Sequence, residues 1–107
     1  MELTIEELRK LCDAGAIRWT AHILMRLQER DIEPSDIIHC ISTGRIIEAY
    51  PTDFPYPSCL VLGATVAGKA LHAVIGVGKG AAWLVTAYHP DPAEWNDDFS
   101  VRKEHKS

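Results

Sequence analysis

The feature that most constrains this chain is a change of hydrophobic period at Gly44. Beyond it, "RIIEAY", "SCLVLGATV", "KALHAVIGV" and "AAWLVTAY" are short runs rich in Ile, Val, Leu and aromatic residues, the composition of strands rather than helices. The last three are separated by "AGK" and "GKG", both suited to tight hairpins. The pattern predicts a four-stranded antiparallel meander. Between the first two runs, "PTDFPYPS", Pro51 to Ser58, holds three prolines. Proline cannot donate to a sheet ladder, so this stretch reads as a stiff loop.

Before Gly44 the signals are helical. Thr4 with Glu7 makes a capping box flanked by Leu3 and Leu8 at staple positions, so a helix should run from Ile5 to about Asp13 and stop at Gly15. Thr20 reads as the N-cap of a second helix reaching about Arg30, with Trp19 and Leu24 as its staple. Pro34 suits the first turn of a third helix that Gly44 ends, with Ser35 and Asp36 near its positive pole. Helices first and strands afterwards indicate an α+β fold, the helices packed on one face of the sheet. The ending "HPDPAEWNDDFSVRK" should form a short turn or helix around Trp95, followed by a frayed tail. At 107 residues, without repeats or linkers, the chain reads as one domain over 1–107.

Composition narrows the function classes. With 47% hydrophobic and 24% charged residues it is that of a soluble protein, and no segment approaches the roughly 20 apolar residues that span a bilayer. The opening "MELTIEELRK" carries acidic residues where a signal peptide would be basic. Cys12, Cys40 and Cys59 form no CxxC pair or regular framework, which suits reduced thiols. Together these features point to the cytoplasm. The net charge of -4 argues against an indiscriminate basic coat for nucleic acid, but allows a local basic cleft.

Two sets of residues carry candidate chemistry. On the second helix, His22, Arg26 and Arg30 recur every four residues beside the apolar arc of Trp19, Ile23, Leu24 and Leu27. From there they can reach toward a cleft while their stems pack on its rim. In the plain structural alternative the arginines pair with Glu29, Glu33 or the helix dipole, and His22 is an ordinary boundary residue. On the third run, His72 should share a strand face with Val74 and Gly76, opposite Leu71, Ala73, Ile75 and Val77. If the fold joined His22 and His72, they would form an acid/base pair, with arginine stabilising phosphorane-like charge. Thr86 and Tyr88 share a face and should point the same way as Leu84, where they could position a substrate. Gly76, Gly78 and Gly80 form a turn between strands, not a dinucleotide loop. The spacing of His39, Cys40, Cys12, Cys59 and His89 supports no metal site.

The succession "AHILMRLQERDIEPSDIIHCISTGRIIEAYPTDFPYPSCLVLG", "LHAVIGV" and "LVTAYHPDPAEW" strongly resembles the small bacterial family called domain of unknown function 4258, over about Thr20 to Lys103. That resemblance implies kinship with RelE-like and BrnT-like toxins of toxin–antitoxin systems. It also implies a RelE/barnase-like fold in which helices cover a four-stranded antiparallel sheet. The family's polar positions fall on His22, Arg26, Arg30, His72, Thr86 and Tyr88. The expectation is a metal-independent ribonuclease toxin needing no cofactor, with RNA and a cognate antitoxin as partners and self-association left open. His22 and His72 would exchange protons with the 2′-hydroxyl and the leaving 5′-oxygen. Arg26 and Arg30 would hold the phosphate, and Tyr88 and Thr86 would position the substrate. Arg18, Arg45 and Lys79 would add charge to one groove, Arg45 as a further substrate contact. The alternative is a non-catalytic module that docks a partner through the "DFPYPS" loop or a sheet edge. Geometry separates them: an open cleft holding His22, Arg26 and His72 favours the enzyme, and a buried, distant His72 favours the module.

Overall fold

The computed structural model describes residues 3–104; within them the stretch after Trp95, expected to fray, is tied back, with the Lys103 amide donating to the Glu94 carbonyl at 2.9 Å and the Asn96 amide to the Val101 carbonyl at 2.9 Å. Helix α1 spans Ile5–Asp13, and its first turn is capped by Thr4, whose Oγ1 accepts from the Glu7 amide at 3.2 Å. Gly15 follows at a φ of 70°, the left-handed value at which glycine ends a helix without strain. Ile17–Arg18 forms β1, a strand of two residues. Helix α2, Ala21–Glu29, is capped by Thr20. Helix α3, Pro34–Thr43, starts with proline in its first turn and ends at Gly44. The strands β2 (Arg45–Tyr50), β3 (Ser58–Ala64), β4 (Ala70–Gly78) and β5 (Ala81–Tyr88) follow.

The fold is α+β, but the sheet has five strands in the order β1-β5-β4-β3-β2. The four-stranded antiparallel sheet expected from the sequence therefore needs correction. The meander from β2 to β5 is present, and β1 adds a parallel strand beside β5, with Ile17 opposite Ala82 and Arg18 opposite Trp83. Two residues between helices are too few to show alternation, so β1 left no periodic trace.

The three helices cover one face of the sheet. Leu8 of α1, Leu27 of α2 and Ile37, Cys40 and Ile41 of α3 meet Cys59, Val61, Leu71, Ala73, Ile75, Ala82, Leu84 and Ala87 in one core. Trp19 and Ile23 pack against its margin. Leu24, expected in the same arc, is instead 37% exposed. Helix α3 sits so close to β3 that a Cβ on Gly63 would lie 2.2 Å from the Cys40 carbonyl oxygen. Among the described residues, every buried side-chain nitrogen and oxygen has a partner.

Two bulges set which residues face away from the helices. On β5 the register steps from Leu84 opposite Ile75 to Thr86 opposite Val74, leaving Val85 as the extra residue. Leu84 thus points into the core while Thr86 and Tyr88 point to the other face, correcting the expectation that all three share one side. On β2 a similar step between Ile46 and Glu48 turns Glu48 and Tyr50 onto that far face.

Candidate functional site

Helix α2 brings its polar stripe to the outer edge of the sheet. Strand β1 pairs only with Ala82 and Trp83, so the rest of β5 has no strand on that side. Arg30, just past the end of α2, caps this edge: its Nη1 donates to Thr86 Oγ1 at 3.1 Å and to the Ala87 carbonyl at 2.8 Å. Arg26 and His22 lie one and two turns upstream on the same helix face, both exposed. Arg26 pairs with Glu29 at 3.7 Å, as the plain alternative anticipated, and both side chains are about half exposed. A surface pair of this kind contributes only about 0.3–0.5 kcal/mol, so it holds the Arg26 guanidinium only weakly.

Tyr88 lies two residues beyond Thr86 on the same strand face and directly opposite His72. The His72 ring is fully buried. Its Nε2 lies 2.8 Å from the Phe99 carbonyl oxygen, which can only accept, so Nε2 carries the proton. Nδ1 is then the acceptor for the Tyr88 hydroxyl at 3.3 Å. Burial pushes the His72 pKa below its ordinary value, outweighing the bond to Phe99, which raises it. Burial likewise pushes the Tyr88 hydroxyl up.

The segment after β5 closes over this histidine as a strap. Trp95 bridges to Arg102 in an isolated antiparallel pair and packs edge-on against His72, with ring centroids 4.4 Å apart. Arg102 lies over the Trp95 ring at 4.6 Å and donates to both oxygens of Glu48 at 3.1 and 3.3 Å. Burial raises the Glu48 carboxyl, but bonds from Arg102 and from the Tyr50 hydroxyl outweigh it and hold the pKa low. Burial and that same bond push Tyr50 up to about 12.

The sequence-derived site is therefore split. The structure joins Arg30, Thr86, Tyr88 and His72 in one run along β5 and β4, with Arg26 and His22 on the adjoining helix. It does not join His22 to His72: α2 packs on the core face, His72 points to the opposite face, and the strap encloses it. Arg45 begins β2, at the far edge of the sheet from β5, and its charge acts on Asp98. Arg18 donates to the carbonyls of Gly15 and Ile17, and Lys79 sits in the β4–β5 turn, so it is Arg45, at the opposite edge, that falls outside any groove along β5. Cys40 and Cys59 are buried thiols whose burial pushes them up to about 12 and about 11.

Glu48, Tyr50, Trp95 and Arg102 were not anticipated as a group. The only trace of them in the sequence is Glu48 inside the otherwise apolar "RIIEAY", and nothing local announces that a residue 54 positions later would answer it. A family profile described as a domain of unknown function (DUF4258) matches residues 19–89. This span takes in α2, α3, the meander and every candidate residue on them, and it stops before the strap. No curated protein and no solved structure matches the chain.

Proposed function

The chain belongs to the DUF4258 family, and on that premise we propose that it is the toxin of a bacterial toxin–antitoxin pair, related to RelE-like and BrnT-like toxins, that cuts RNA without a metal. The observation that supports it is the junction of Arg30 with Thr86 and Ala87, which ties the last residue of the exposed His22–Arg26–Arg30 stripe to the strand that carries Thr86 and Tyr88. Arg26 and the free nitrogens of Arg30 bind the scissile phosphate and stabilise the charge that grows on it. His22 takes the 2′-hydroxyl proton as that oxygen attacks phosphorus, and the leaving 5′-oxygen gains a proton from water as its bond breaks. Thr86 and Tyr88 position the substrate. His72, neutral and enclosed, holds the Tyr88 hydroxyl and takes no part in proton exchange. An antitoxin would cover the stripe with acidic groups or add a strand to the open edge of β5.

Induced expression of the wild type beside His22→Ala, scored for growth arrest and RNA cleavage, tests this. Arrest and cleavage lost in a folded His22→Ala protein support it; a wild type that neither arrests growth nor cuts RNA sinks it. The neighbouring gene product should co-purify and suppress toxicity. One observation favours the second reading, a non-catalytic docking module: His72 lies closed away from α2, so the expected histidine pair is not assembled. Under that reading a partner protein binds although no RNA is cut.

A further inference from the structure

The proline-rich loop after β2 borders an open-sided pocket of about 380 Å³ on the sheet face opposite the helices. Pro55 and Tyr56 of the loop and Trp83 and Val85 of β5 form its walls, Phe54 stands at its mouth, and Asp53 and Ser58 make one side polar. Gly76 lines it where any other residue of β4 would place a side chain. The aromatic wall is held in place. Tyr56 stacks on Trp83 with centroids 6.2 Å apart and planes at 28°, and the Trp83 indole N–H donates to the Gly78 carbonyl at 3.2 Å. The Tyr56 ring lies close against Gly78, where a Cβ would come within 2.1 Å of it. Phe54 is 95% exposed, a large apolar ring left in water beside the pocket.

We propose that this pocket binds a nucleobase of an RNA strand and prefers guanine. The inference takes its ligand class from the RNA reading above, but stands on separate residues. Flat aromatic walls stack any base. The polar side supplies acceptors: Ser58 Oγ donates to Asp53 Oδ2 at 2.5 Å, which leaves Oδ1 and the second lone pair of Oδ2 to accept. Of the four bases only guanine offers two adjacent N–H donors on its pairing edge, a match for a carboxylate. An apolar side chain from a partner protein would leave Asp53 unanswered. Val85 of the pocket directly precedes Thr86, which Arg30 holds, so a single strand can place a base here and a neighbouring phosphate on the stripe.

Titration of the full chain with GMP, AMP, CMP and UMP, followed by tryptophan fluorescence and NMR shifts, reads this without cleavage. GMP should bind several-fold more tightly than AMP. Phe54→Ala should weaken every nucleotide about ten-fold, the loss of one stacking partner, and Asp53→Asn should remove the preference for GMP. Gly76→Val should fill the pocket and abolish binding; its Cβ would come no closer than 3.6 Å to its neighbours, and circular dichroism with thermal unfolding checks that the variant is folded. The inference is overturned if no mononucleotide binds, or if Gly76→Val binds like the wild type. A co-purified protein released by Gly76→Val, without nucleotide binding, also overturns it and gives the pocket to a protein. RNA cleavage without mononucleotide binding rejects the pocket alone; GMP binding without RNA cleavage rejects the cleavage reading alone.

Discussion

Arg26 tests the chemistry most sharply, because its surface ion pair with Glu29 contributes little and its guanidinium is free to meet a substrate. Arg26→Lys keeps the charge but loses the planar fork, so turnover on RNA should fall roughly ten- to a thousand-fold while the melting temperature barely moves. Undiminished cleavage would remove Arg26 from the mechanism. His72 makes a different prediction. Its pKa in the fold is depressed, chiefly by burial, so the unfolded chain binds a proton more readily than the native one. Its stabilising effect is complete above the ordinary pKa of about 6.5 and fades as pH falls below it. Thermal unfolding between pH 8 and pH 5 should show this loss, and His72→Gln should flatten it. A histidine titrating normally by NMR would contradict the enclosed ring.

Elements show how tightly local signals are reused. Asp36 completes a capping box with the Glu33 amide at 2.9 Å and also accepts from the Val66 amide at 2.9 Å, tying α3 to the β3–β4 turn. These two backbone bonds hold its pKa low. Asp36→Ala should cost about 1–3 kcal/mol by denaturant unfolding, the range for a cap whose partners are left unmade. Gly63→Ala is more severe, since its Cβ would meet backbone atoms of Cys40 that cannot turn aside. We expect a loss at or above the usual 1–3 kcal/mol of overpacking; a variant as stable as wild type would show that α3 and β3 are less closely seated.

Across the whole molecule, the strap is what converts an exposed strand histidine into a buried one. Trp95 is 3% exposed and packs against His72, while Arg102 joins it to Glu48 on β2. Trp95→Ala should destabilise the fold by about 3–5 kcal/mol. In the molecules that remain folded, the His72 pKa should rise toward its ordinary value, a titration that NMR follows directly. If it does not move, enclosure by the strap is not what depresses it. The same closure leaves the stripe on α2 as the open polar surface of the candidate site, with the pocket at Trp83 and Val85 on the neighbouring stretch of β5.

The three helices, the caps of the first two and the meander were legible because each rests on neighbours in sequence: Thr4 before Glu7, Thr20 beside Ile23, Pro34 in a first turn, tight turns between alternating runs, whereas the capping box of Glu33 and Asp36 was not read. So were the two faces of β4 and the stripe of His22, Arg26 and Arg30, which follow from helix and strand periods alone. The parallel strand β1 was hidden because two residues carry no period and its partner lies 65 positions away, Ile17 against Ala82. The turn of Thr86 and Tyr88 away from Leu84 depended on one bulged residue, Val85, and a single inserted residue reverses every side chain beyond it. Whether His22 met His72, and what covered the latter, was decided by which side of the sheet the helices and the strap occupy. That choice lies in contacts between distant segments, which no local pattern records.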